Sequence, residues 1–173
     1  MELQRDLKRE AFFRKSSILV LVAAVAVQIA VSYAQYRFVP GWLEIAIRSC
    51  AILLGLLASP LLLLLGCRSW TKRTREKLSD WRNGLGLSSM VLVSSVWMIQ
   101  FGTRILSAIH PFQSYFFNPD WMATLLYTTM LAALLAFALK GTAQLFMFSA
   151  ALLMLSSLQS GIYFARFGGH SIG

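Results

Sequence analysis

Long apolar runs alternate along the chain with short segments that carry most of the charges. Five of these runs are close to the roughly 20 residues that a helix needs to cross about 30 Å of hydrocarbon. Helices are favoured because backbone groups in lipid must be hydrogen-bonded within their own segment. The pattern predicts an all-α integral membrane protein, a bundle of five transmembrane helices with approximate spans 16–36, 48–67, 84–108, 121–139 and 142–165.

The boundary between the fourth and fifth spans carries the weakest charge signal. Residues 121–165 as one straight helix would extend about 68 Å, roughly twice the thickness of the hydrocarbon core. Lys140 and Gly141 therefore predict a tight turn, in which Gly141 takes the left-handed conformation that commonly ends a helix. Four spans with one bent or re-entrant segment are the alternative.

Composition and charge agree with this assignment and add an orientation. The chain is 57% hydrophobic and 13% charged, which is more apolar than a soluble domain of this size tolerates. The chain has a net charge of +9, and most of its basic residues lie before residue 16 or in the loop 68–83. The positive-inside rule then places the N-terminus and this loop in the cytoplasm and the C-terminus outside.

The whole chain, residues 1–173, is interpreted as a single transmembrane domain. Its basic start followed by an apolar run resembles a signal peptide, but the run is longer than most, and we interpret it as a retained span. A multi-pass location in a bacterial-type inner membrane or a plasma membrane is expected.

The basic loop 68–83 is a candidate surface for lipid headgroups. Cations and tryptophans of such a segment lie at the interface with anionic lipid, and here they are Trp70, Lys72, Arg73, Arg75, Trp81 and Arg82. The alternative is a solvated loop whose charge only fixes topology. Nucleic acid is not an expected partner, because the basic segment lies beside lipid.

Polar residues inside the spans are pointers to function or to helix contacts. A polar path, or a set of contacts, would use Gln100, Arg104, Gln144 and Gln159. Arg104 lies near the outer end of its span, where it either extends to the headgroups or lines an outward cleft. The small polar residues of the fifth span are expected to face protein rather than lipid.

The second span carries two further signals. Glu44 and Arg48 are four residues apart, which favours a modest helical ion pair near the outer surface. Pro60 removes one backbone hydrogen bond from the middle of the span and predicts a kink.

Two pairs of small residues have the spacing that lets helices approach closely. Gly55 and Ser59 form one pair, and Ala26 and Ala30 form the other. Packing within this bundle is the favoured use of both pairs, rather than recruitment of another subunit.

One arrangement of reactive side chains is compatible with the predicted topology. Cys50, Arg104 and His110 all map to the outer face, where a cysteine with a histidine base and an arginine could perform acyl or peptidyl transfer. The sequence carries no metal-ligand cage, haem-binding histidine pair or phosphate loop, so no metal and no cofactor are expected.

These patterns favour a non-enzymatic protein over an enzyme. The leading interpretation is an accessory, anchoring or sensory subunit that binds membrane lipids or partner helices, in another transmembrane subunit or a homo-oligomer. A small transporter or channel, with a polar path through the third and fifth spans, is the alternative. The outer-face cysteine transferase is the second alternative.

Overall fold

The computed structural model describes residues 2–36, 39–70, 79–109 and 119–167. Within these ranges the secondary structure is helical and contains no strand, which confirms the all-α class. The helices are α1 (Glu2–Tyr36), α2 (Gly41–Ser69), α3 (Asp80–Ile109), α4 (Pro119–Ala136) and α5 (Thr142–Phe167).

Four of these helices are long and apolar enough to cross a membrane, namely α1, α2, α3 and α5. The apolar part of α4, Asp120–Ala136, is shorter than these and sits at the lower limit for a crossing. Large apolar side chains are exposed on the outer surfaces, as in Leu19 (73%) and Leu64 (67%). An outer surface of this kind suits lipid rather than water.

Several helix ends differ from the predicted spans. The second helix begins at Gly41 rather than near residue 48, and the third begins at Asp80, inside the predicted loop 68–83. Trp81 and Arg82 therefore belong to the first turn of α3, whereas residues 71–78 of that loop lie outside the described ranges. The predicted spans ended at charged residues, whereas the helices continue past those residues, beyond the apolar core and into the interface.

The turn between α4 and α5 is confirmed. Helix α4 ends at Ala136, three residues earlier than predicted, and the backbone N–H groups of residues 137–139 each donate to the carbonyl three residues before. The turn continues to Gly141, whose φ of +68° is the left-handed conformation predicted from the sequence. Gly141 does not end α4 as predicted, because it directly precedes α5 and its carbonyl oxygen accepts from the N–H of Leu145.

Helix α5 is the central helix of the bundle. In its apolar window 67% of the residues are buried, against 22% in α1, and it packs on all four other helices. It runs antiparallel to α2, because Gly55 lies against Ser157 while Gly66, further along α2, lies against Met147. It runs parallel to α3, because Gln100 bonds to Ser157 and Arg104, further along α3, lies against Gly161.

The close approach of α2 and α5 depends on small residues. A Cβ atom at Gly55 would collide with the side chain of Ser157 and lie 2.9 Å from the carbonyl oxygen of Leu153. Ser59, one turn further, is fully buried and donates to the carbonyl oxygen of Ala150 at 3.3 Å. The Gly55 and Ser59 pair thus packs within the bundle, as predicted.

The second pair of small residues does not follow the same rule. Ala26 is exposed and Ala30 is half-buried. Helix α1 instead turns the fully buried Ser17, Ala24 and Val31 toward the bundle. Small-residue spacing alone therefore identified the packed face of α2 but not that of α1.

Candidate functional site

A row of small polar side chains lies along the buried face of α5. Ser149, Ser156, Ser157 and Ser160 are all fully buried. Ser149 and Ser160 donate to the carbonyl oxygens of the residues four positions earlier, at 2.7 and 2.8 Å. Such bonds satisfy a hydroxyl in an apolar interior without occupying space between helices. These serines face protein, as the sequence predicted for the fifth span.

Helix α1 is tied to α5 by an amide pair. The Nε2 group of Gln28 donates to Oε1 of Gln159 at 2.9 Å, and the hydroxyl of Ser156 donates to Oε1 of Gln28 at 2.5 Å. Gln28 was not predicted as a site residue. An amide deep in an apolar helix was the signal that could have identified it, because lipid offers no alternative partner.

Helix α3 is tied to the opposite side of α5. Gln100 is 2% exposed, and its Nε2 group donates to the hydroxyl of Ser157 at 2.7 Å. Its Oε1 atom is buried and has no hydrogen-bond partner within the described part of the chain. Gln100 thus contributes one bond between helices and one buried acceptor.

The predicted polar-path residues do not share one line through the bundle. Ser157, the partner of Gln100, and Gln159 are two positions apart on α5 and so point about 200° from each other. Gln144 is half-buried near the start of α5, about 22 Å from Gln159 along the helix. Gln100 and Gln159 are joined to different helices, as bonds that hold the bundle together.

A charged cluster lies between α2 and α5, near the end of the bundle where α2 begins. Nε and Nη2 of Arg48 both donate to Oε1 of Glu44, at 3.0 and 2.9 Å. The guanidinium carbon of Arg48 lies 3.7 Å from the ring centroid of Tyr163. The predicted pairing is confirmed.

The pair lies at the start of α2, where the sequence placed it, but its burial was not predicted. The side chain of Arg48 is 1% exposed and that of Glu44 is 17% exposed. Packing against α5 explains the burial of Arg48, because Arg48 shares the inward face of α2 with Ala51 and Gly55. The guanidinium is buried by its carboxylate partner and by the aromatic ring that covers it.

Arg104 is turned into the bundle at the same end. It is half-buried, and a Cβ atom at Gly161 would lie 3.1 Å from its Nη2 atom. The same position would place that Cβ 3.3 Å from the methyl carbon of Met122. The guanidinium therefore packs against α5 at this end of the bundle.

Of the predicted cysteine, arginine and histidine arrangement, the structure describes Cys50 and Arg104. Cys50 is exposed, and it points about 200° away from Arg48 on α2. Arg104 is half-buried against α5, and His110 lies outside the described residues. Within the described ranges, no group of three His, Cys, Asp or Glu side chains could hold a metal ion.

The opposite end of the bundle is basic. Arg68 ends α2, Arg82 begins α3 and Lys140 lies in the turn before α5. Contacts of Gly66 with Met147 and of Gly86 with Leu139 place these three segments side by side. Arg68 and Lys140 are exposed and Arg82 is half-buried.

Other predicted headgroup residues divide between the described and undescribed ranges. Trp81 is 67% exposed beside Arg82, and Trp70 is half-buried. Lys72, Arg73 and Arg75 lie outside the described residues. In α1, Arg14 and Lys15 are exposed and lie at about the level of the start of α5, since Gln28 is level with Ser156 and Gln159.

No protein-family model matches the chain, and no curated protein or solved structure is significantly similar to it.

Proposed function

We propose that the protein is a non-enzymatic, multi-pass membrane protein that acts as an anchoring or accessory subunit and binds anionic lipid at its basic end. The observation that carries this proposal is the use of the interior polar groups. Gln28, Gln100 and Gln159 are joined to each other or to serines of α5 by bonds between helices. An interior used in this way supports a stable scaffold.

The proposed ligand is the headgroup of an anionic phospholipid. Exposed or half-buried cations from α1, α2, α3 and the turn before α5 lie at one end, and Asp80 is the exposed carboxylate described beside them. The exposed ring of Trp81 suits the interfacial layer. By the positive-inside rule this end is cytoplasmic, in a bacterial-type inner membrane or a plasma membrane.

Retention of phosphatidylglycerol tests this proposal. The protein is reconstituted in bilayers of equal parts phosphatidylglycerol and phosphatidylcholine, extracted mildly, and its bound lipids are counted by native mass spectrometry. Neutralising Arg68, Arg82 and Lys140 to glutamine should reduce the preference for phosphatidylglycerol by about fivefold per cation, because each is worth about 1 kcal/mol near the surface. Raising the salt concentration should reduce it as well.

The matched control exchanges the same residues for the other basic type, as in Arg68→Lys, Arg82→Lys and Lys140→Arg. This control keeps the charge and should keep the lipid preference. A glutamine variant that retains phosphatidylglycerol as well as the wild type would refute the lipid assignment. Solute flux into proteoliposomes that is lost in Gln159→Leu would favour the transporter function over the scaffold function. A stable homo-oligomer or a co-purified subunit would identify the source of a partner helix.

A further inference from the structure

The indole of Trp97 on α3 reaches across to the backbone of α2. Its Nε1 group donates to the carbonyl oxygen of Leu56 at 2.9 Å. In an unbroken α-helix that carbonyl would accept from the backbone N–H of the residue four positions later. That residue is Pro60, which has no N–H and lies inside the continuous helix α2. Trp97 therefore supplies the donor that proline removes.

The surroundings make this replacement necessary. Leu56, Pro60 and Trp97 are half-buried in the middle of spans that are long and apolar enough to cross a membrane. A backbone carbonyl without a partner is costly there, because lipid offers no hydrogen-bond donor. The ring of Trp97 is also fixed in place by a parallel stack on Phe101, with ring centroids 5.1 Å apart.

The Leu56 carbonyl that accepts from Trp97 lies, along α2, between two residues that pack tightly against α5. On one side of Pro60, Gly55 lies tightly against Ser157, and on the other side Gly66 lies against Met147. Helix α3 contacts α2 much less extensively than α5 does. A single directed bond therefore has a large share in fixing the position of α3 along α2.

We propose that Pro60 and Trp97 form a latch between α2 and α3. Proline creates a flexible point in α2 and leaves the carbonyl oxygen of Leu56, one turn earlier, without its helical donor. The indole of Trp97 supplies that donor. Bending of α2 at Pro60 would move the Leu56 carbonyl relative to the indole, so the bond resists bending as long as α3 stays in place. Displacement of α3 breaks the bond and leaves that carbonyl without a donor. The two residues are thereby coupled, although the proline itself makes no hydrogen bond with the indole.

A double-mutant cycle of Trp97→Phe and Pro60→Ala tests the latch. Phenylalanine keeps an aromatic ring against Phe101 but removes the donor, and alanine returns a backbone N–H to the carbonyl of Leu56. Trp97→Phe should shift the folded-to-unfolded ratio about tenfold in the Pro60 protein, because a buried acceptor loses its partner. In the Pro60→Ala protein the same change should shift the ratio less than about threefold.

Trp121→Phe is the matched control, because this tryptophan is 66% exposed; its effect should be equal in both backgrounds. Equal effects of Trp97→Phe in both backgrounds would overturn the proposal.

A second measurement does not depend on the stability of the Pro60→Ala protein. In detergent micelles, ¹⁵N-labelled tryptophan gives five indole N–H signals, one for each tryptophan. The signal absent in Trp97→Phe should exchange slowly with solvent in the wild type and faster in Pro60→Ala, where the helix has its own donor. Unchanged protection of that signal in Pro60→Ala would likewise refute the latch.

Discussion

Removing the carboxylate of Glu44 should destabilise the protein more than removing the guanidinium of Arg48. The two side chains differ in exposure, at 17% for Glu44 and 1% for Arg48. Glu44→Gln leaves a buried cation with no anion within the described contacts of the cluster, and the ring of Tyr163 compensates only in part. Arg48→Met leaves a carboxylate that is closer to solvent and can be hydrated.

The expected magnitudes follow from this asymmetry. Removing one partner of a buried ion pair costs about 3–5 kcal/mol, and Glu44→Gln should lie near the lower end of that range, because Tyr163 still covers the cation. Arg48→Met should cost about 1–2 kcal/mol, as a partly exposed charge loses its partner. The double variant should be more stable than Glu44→Gln alone, because it leaves no buried charge without a partner.

Reversible unfolding in mixed micelles of a mild detergent and dodecyl sulfate measures these differences through tryptophan fluorescence. Asp80→Asn is the control, because Asp80 is exposed at the opposite end and an exposed charge should change stability by less than about 0.5 kcal/mol. Arg48→Met that is as destabilising as Glu44→Gln would contradict the reasoning. So would a double variant that is no more stable than Glu44→Gln.

Three further substitutions follow from the packing and are measured by the same unfolding assay. Gly55→Ala should cost about 1–3 kcal/mol through collision with α5, whereas Gly102→Ala, whose Cβ meets nothing within 4 Å, should be neutral or stabilising by up to about 1 kcal/mol; equal losses would contradict the packing. Gly141→Ala should cost about 1–2 kcal/mol through its φ of +68°, and no loss would show that the turn relaxes. Gln28→Leu should cost about 1–2 kcal/mol by leaving Gln159 without its partner, and adding Gln159→Leu should restore part of that loss; additive losses would argue against the bond.

Some of these features follow from the sequence alone. Run length and the positions of charges predict the apolar helices, and the Lys140–Gly141 step predicts the turn before α5, because two spans cannot share one helix of that length. The spacing of Glu44 and Arg48 predicts their pairing. Each of these features depends on local geometry.

The burial of Arg48 does not follow from the sequence, because it depends on which face of α2 packs against α5. Helix α2 is apolar on nearly all sides, so hydropathy does not distinguish a lipid-facing residue from an inward one. The donor role of Trp97 is different. The sequence predicts that some donor must bond to the Leu56 carbonyl, because Pro60 has no N–H. Which residue supplies that donor depends on how α3 packs.

Helix α1 shows which residues decide the inward face when every face is apolar. Its small pair, Ala26 and Ala30, has the favourable spacing, yet Ala26 is exposed. Gln28 and Gln35 are seven residues apart and point in nearly the same direction, yet Gln35 is exposed at the end of the helix while Gln28 is bonded to α5. Depth explains the difference, because water and headgroups can satisfy an amide at a helix end but not in the middle of the span. The inward face of α1 therefore carries the deep amide of Gln28 together with Ser17 and Ala24, and not the pair of Ala26 and Ala30.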